Sequence, residues 1–202
     1  MWVKVCGCRT PEGVDAAVAA GADAVGLIFA ESRRRVSVAT ARRLAERVPS
    51  SVAIVGVVRS PSTALLRELL DAVPFDMLQL SGKLPRGAAK GVPLLRTVYL
   101  GPDDRLPSGR LPRAYALHLD RRSTHQYGGT GQRVSTRAAR RIAEMGRRVV
   151  LAGGLTPENV AAAIEEATPF GVDVASGVEV LGEHDPDLIL RFVRTAKGVN
   201  AQ

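Results

Sequence analysis

The chain has 202 residues, 46% of them hydrophobic, and a formal net charge of +8 from 28 Lys and Arg against 20 Asp and Glu. That length suits one large core over residues 1–202 better than two full domains, and no window approaches the roughly 18 uninterrupted apolar residues of a membrane span. Twenty-four of the basic residues are arginines scattered along the chain, and only 4% of residues are aromatic, so base stacking has little to work with and nucleic acid is not the expected partner; a small anionic ligand is.

In chain order, short β-branched runs alternate with longer Ala- and Arg-rich stretches. The runs predict strands at 2–6, 23–29, 52–58, 75–80, 93–98, 114–120, 148–153 and 172–176, and helical spacing predicts helices at 11–20, 37–47, 61–72, 135–146, 156–167 and 185–197. "TPE" occurs at Thr10-Pro11-Glu12 and again at Thr156-Pro157-Glu158, each with Thr as expected N-cap and Pro at the first helical position. Strict strand–helix alternation over eight units argues for an α/β fold, a single-domain (β/α)₈ TIM barrel near its minimum length. The fifth unit, 100–112, carries three prolines, so its helix is expected to be reduced.

The opening residues hold one lysine and no apolar h-region, which predicts no signal peptide and a cytoplasmic location. Cys6 and Cys8 flank a single glycine, too close for an unstrained disulfide, and His118, His125 and His184 lack metal-ligand spacing, so no metal is expected. In a (β/α)₈ barrel the chemistry collects at the C-terminal ends of the strands. Two glycine-bearing turns fall there, "LAGGLTPEN" (151–159) and "DVASGVE" (173–179), in the units that usually bind phosphate. "ESRRRVS" (31–37) leaves the second strand and could fork a guanidinium onto a carboxylate. "YGGTG" (127–131) reads either as a mobile lid or as an ordinary connection.

Taken together and in order, "VKVCG", "GADAVGLIF", "LQL.G", "YGGTG", "AGGLTPENV" and "GVDVASGVE" resemble the phosphoribosylanthranilate isomerase family from residue 2 to about 197. The resemblance implies a cofactor-free Amadori rearrangement of an aminoaldose phosphate that carries an anthranilate carboxylate, by a monomer or homodimer. It implies Cys6 as general base and Asp120 as general acid. It further implies Arg34, with Arg35 as alternative, on the anthranilate carboxylate, Gln79 at a substrate-facing position, and Asp173 on the substrate's amino group. Gly153, Gly154, Ser176 and Gly177 match the phosphate turns. A free thiol would be mostly protonated at neutral pH, so Lys4, two residues before Cys6 on the same strand face, is expected to help ionise it. Asp120 has the opposite need, met if partial desolvation raises its pKa. The chain departs from the family at Ser81, where histidine is common, at Arg59 and Ser60, and at His118, which replaces an apolar residue two before Asp120. His118 either tunes the acid or is a hydrogen-bonded core histidine.

Overall fold

The computed structural model describes residues 1–87, 89, 91–100, 111–121 and 135–199. Eight parallel strands close into a barrel in sequence order: β1 (Trp2–Cys6), β2 (Ala24–Ile28), β3 (Ala53–Arg59), β4 (Met77–Ser81), β5 (Leu94–Leu100), β6 (Ala116–Arg121), β7 (Val149–Leu151) and β8 (Gly171–Val174). Six α-helices lie among the described residues: α1 (Pro11–Ala19), α2 (Val38–Ala45), α3 (Thr63–Ala72), α4 (Thr136–Glu144), α5 (Val160–Ala167) and α6 (Pro186–Gly198). Each corresponds to a predicted helix. The expected lid at 127–131 and residues 101–110 of the expected reduced helix lie outside the described residues.

Caps explain most helix starts. Thr10 Oγ1 accepts from Gly13 N at 3.2 Å with Pro11 in the first turn, as "TPE" predicts. Ser37, Ser62, Ser135 and Asp185 cap α2, α3, α4 and α6 in the same manner. The second "TPE" behaves differently from expectation, because α5 begins at Val160 and its N-cap position is Asn159. Asn159 instead ties down the preceding turn: its Oδ1 accepts from Thr156 N (2.9 Å) and its Nδ2 donates to the Gly154 carbonyl (2.9 Å). Thr156 and Pro157 thus belong to a turn at the rim. A short hairpin, β9 (Glu179–Val180) with β10 (Glu183–His184), was also unanticipated.

Alternation along the strands sorts side chains into an outer layer under the helices and an inner layer filling the barrel. The outer layer is the main apolar core, with Val3, Val5, Leu27, Leu117, Leu119 and Phe192 among its buried members. The inner layer is apolar at its base, where Leu95, Ala116 and Val150 pack with Trp2 and Phe170. Two residues above Trp2 and Ala116 it turns polar, with Lys4 on β1 opposite Asp173 on β8 in register, and His118 on β6 opposite Val150. Two further up come Cys6 and Asp120. Polar groups are therefore stacked on an apolar plug, close under the open mouth.

Candidate active site

One cavity of about 950 Å³, including its open mouth, occupies the C-terminal end of the barrel. Every catalytic, substrate-binding and phosphate-binding residue expected from the sequence lines it, Arg35 excepted. Cys6 reaches it from the end of β1, Asp120 from β6, and Gln79 and Asp173 from β4 and β8. Arg34 closes the side above β2, and Gly153, Gly154, Ser176 and Gly177 form the rim after β7 and β8. Arg35 is exposed and does not line the cavity, so Arg34 is the arginine this loop turns inward. Its backbone is steadied by Ser32, whose Oγ accepts from Arg34 N at 3.1 Å.

Arg34 arrives already paired. Its Nε and Nη2 fork onto the Glu179 carboxylate, the Nη2 contact at 2.8 Å, and Arg33 adds a third bond to the same carboxylate. Burial would raise the Glu179 carboxyl, but the hydrogen bond and charge of Arg34 outweigh it and hold the pKa below the usual value. A guanidinium 6% exposed needs such a partner. Two of its five N–H donors are taken by Glu179, and the others make no hydrogen bond among the described residues.

The floor holds a buried chain of charge. Asp173 Oδ1 accepts from Lys4 Nζ at 2.7 Å, and Oδ2 lies 2.8 Å from His118 Nε2. Lys4 is fully buried. Burial works to lower its pKa, yet the Asp173 carboxylate and then Cys6 more than compensate, and Lys4 stays above the ordinary ammonium value. For Asp173 burial works upward, and Lys4 with the His118 hydrogen bond reverses it, leaving the carboxyl below its usual value.

Cys6 departs from expectation. Burial pushes its thiol up to about 11, the charge of Lys4 opposing but not overcoming that rise. The Asp173 carboxylate that engages the ammonium adds to the rise, since it repels a thiolate. Cys8, fully buried, is pushed to about 12 by desolvation and belongs to the core.

The rim after β7 turns on two glycines. Gly153 and Gly154 take φ of 89° and 66°, successive left-handed positions that side-chain-bearing residues rarely adopt. Such turns can converge backbone N–H groups on a negative charge. Gly177 is required for another reason: a Cβ there would lie 1.8 Å from the Leu155 carbonyl oxygen, so the two rim turns are in direct contact. Sequence reasoning missed Glu179 as the partner of Arg34, and Thr97 and Tyr99, which line the cavity from β5. The alternation Leu95, Thr97, Tyr99 toward the strand end was the available signal for the latter pair.

The profile of the family described as PRAI, N-(5'phosphoribosyl)anthranilate (PRA) isomerase, matches residues 3–195. The chain belongs to this family. It is 38% identical over 202 residues to the N-(5'-phosphoribosyl)anthranilate isomerase of Listeria monocytogenes serotype 4b (strain CLIP80459), covering 98% of this chain and all of that protein. The crystal structure of phosphoribosyl anthranilate isomerase from Thermotoga maritima superposes with a TM-score of 0.84 at 32% identity, over 98% of this chain and 99% of that one. A second isomerase structure, in complex with reduced 1-(o-carboxyphenylamino)-1-deoxyribulose 5-phosphate, gives a TM-score of 0.77 at 30% identity over the same shares. Family and barrel thus agree with the resemblance that the motifs carry.

Proposed function

We propose that this chain is a working isomerase of the family, converting N-(5-phosphoribosyl)anthranilate to 1-(2-carboxyphenylamino)-1-deoxyribulose 5-phosphate in tryptophan biosynthesis. The observation that carries this reading is the meeting, in one cavity, of a thiol on β1, a carboxyl on β6 and the glycine turns after β7 and β8.

On this reading the phosphate rests on the turns at Gly153–Gly154 and Ser176–Gly177, and Arg34 meets the anthranilate carboxylate. Asp120 gives a proton to the ribose ring oxygen as its bond to C1′ breaks, and the nitrogen lone pair forms a protonated Schiff base. Cys6, as thiolate, takes the C2′ proton, and the electrons left behind neutralise the nitrogen to give an enolamine. Asp120, now a carboxylate, takes the enol proton and Cys6 returns its proton at C1′, which completes the aminoketose and restores both groups; atoms and charge balance, and the steps need no cofactor. Acid–base catalysis of this kind contributes about 10²–10⁴-fold for each group.

A thiol near 11 is a minor thiolate at neutral pH. The Schiff base itself helps, because a cation beside Cys6 pulls the thiol down in the same direction as Lys4. Asp173, held between Lys4 and His118, keeps two lone-pair directions for the substrate N–H. The test is growth: the gene should restore a tryptophan auxotroph that lacks this isomerase, and the Cys6→Ala form should not. Failure of the wild type to restore growth, with the protein folded and present, would count against the reading.

A further inference from the structure

His118 is a buried group in the cavity that the reaction scheme above does not use directly. It is 3% exposed, lines the cavity, and sits two residues before Asp120 on the inner face of β6. Its Nε2 meets Asp173 Oδ2 at 2.8 Å. The carboxylate can only accept, so Nε2 donates, and in the neutral form of the ring Nδ1 is an acceptor. That Nδ1 is buried and has no hydrogen-bond partner among the described residues. A histidine serving only as core packing would not leave an acceptor unmet in a wall facing the substrate.

We propose that His118 is a positioning residue of the isomerase site, locking the Asp173 carboxylate through Nε2 and taking a hydrogen bond from a sugar hydroxyl of the substrate through Nδ1. This rests on the isomerase reading. Lys4 fixes one carboxylate oxygen from β1 and His118 fixes the other from β6, so Asp173 cannot rotate. Loss of either hold lets the carboxylate turn away from the substrate nitrogen, and a misplacement of about 1 Å can cost ~10²-fold in rate. The titratable groups around Asp173 are Lys4 and Cys6 on β1 and His118 and Asp120 on β6, with Arg34 further out at the rim. The His118 bond favours the Asp173 carboxylate, so its removal should shift the acid limb of kcat/KM to higher pH.

The test compares wild type, His118→Leu and His118→Gln in three readouts. These are turnover against pH, inhibition by the reduced carboxyphenylamino-deoxyribulose phosphate, and inhibition by inorganic phosphate. Expected for His118→Leu is a drop in kcat/KM of ~10–10²-fold, an acid limb moved up, and weaker analogue binding, with phosphate inhibition unchanged. Glutamine offers a donor and an acceptor, and should recover most of the loss. Wild-type behaviour of His118→Leu overturns the inference, as does equal weakening of analogue and phosphate, which would mark a general structural loss. Should His118→Leu fail to fold, the ¹⁵N histidine signals of wild type decide. With His118 assigned by comparison with His118→Gln, its Nδ1 signal should move with saturating analogue and not with phosphate; an unmoved signal overturns the inference. Wild-type turnover is measured first. An inactive wild type contradicts the isomerase reading, whereas an active one matched by His118→Leu contradicts the inference alone.

Discussion

Gly177→Ala tests whether the two rim turns act as one phosphate cradle. The added methyl would stand 1.8 Å from the Leu155 carbonyl oxygen and 2.9 Å from its carbon. Real contacts of this kind need at least 3.0 Å, so the turns must separate by about 1.2 Å. The neighbour is backbone and cannot swing aside as a side chain would. Gly177 does not have positive φ, so the effect is steric and local. Overpacking of this order costs about 1–3 kcal/mol. For a chain of this size each kcal/mol lowers Tm by about 2–4 °C. Because the displaced turns hold Gly153, Gly154 and Ser176, kcat/KM should fall ~10²-fold, and inhibition by inorganic phosphate should weaken with it. Circular-dichroism melting and steady-state turnover read the two effects. Gly198→Ala is the control, since a methyl added there, at the end of α6, would meet nothing within 4 Å, and it should leave both unchanged. A Gly177→Ala protein with wild-type Tm, KM and phosphate inhibition would refute the contact and the cradle built on it.

Two further outcomes follow from the buried charges. Alkylation of Cys6 by iodoacetamide should quicken about tenfold per pH unit from 7 to 9 without levelling, because burial holds the thiol near 11; a midpoint below 8 would show that Lys4 overcomes burial after all. Lys4→Met leaves the Asp173 carboxylate buried against His118 without its ammonium, and should cost about 3–5 kcal/mol in denaturant unfolding at pH 7. The sign with pH follows from the lowered Asp173 pKa. In wild type its stabilisation is present above the unfolded value of about 3.9 and is lost as pH falls through the folded value. Without Lys4 the carboxyl rises, so the gap between variant and wild type should narrow as pH falls toward about 4. Equal unfolding midpoints at pH 7 would contradict it.

The barrel was legible because each strand is a short, apolar-rich run, six of the eight with Val or Ile, and most helices open on a Ser, Thr or Asp whose side chain caps the first turn. The site was legible for a related reason: strand ends bearing Cys6, Gln79 and Asp120 all face one mouth, so locating the ends locates the cavity. What the sequence hid is long-range pairing. Lys4 and Asp173 are 169 positions apart, and His118 and Asp173 are 55 apart, with nothing local to announce either bond. Burial of Cys6, with the Asp173 carboxylate adding to it, is why the lowering by Lys4 does not prevail. Thr156 still acts locally, its Oγ1 accepting from Glu158 N at 3.3 Å, but α5 proper begins only at Val160, after the turn that Asn159 ties back to the Gly154 carbonyl. The bond of Arg34 to Glu179 joins loops that meet only once the barrel closes.

Whether Cys6 and Asp120 isomerise N-(5-phosphoribosyl)anthranilate is tested most directly by following the fluorescence of the freshly prepared compound with wild type, Cys6→Ser and Asp120→Asn. NMR identifies the ketose product, since substrate and product have equal mass. Expected is rapid loss with wild type and a rate at least ~10²-fold lower for each folded variant. Wild type no faster than its variants, or a variant matching wild type, would contradict the assignment.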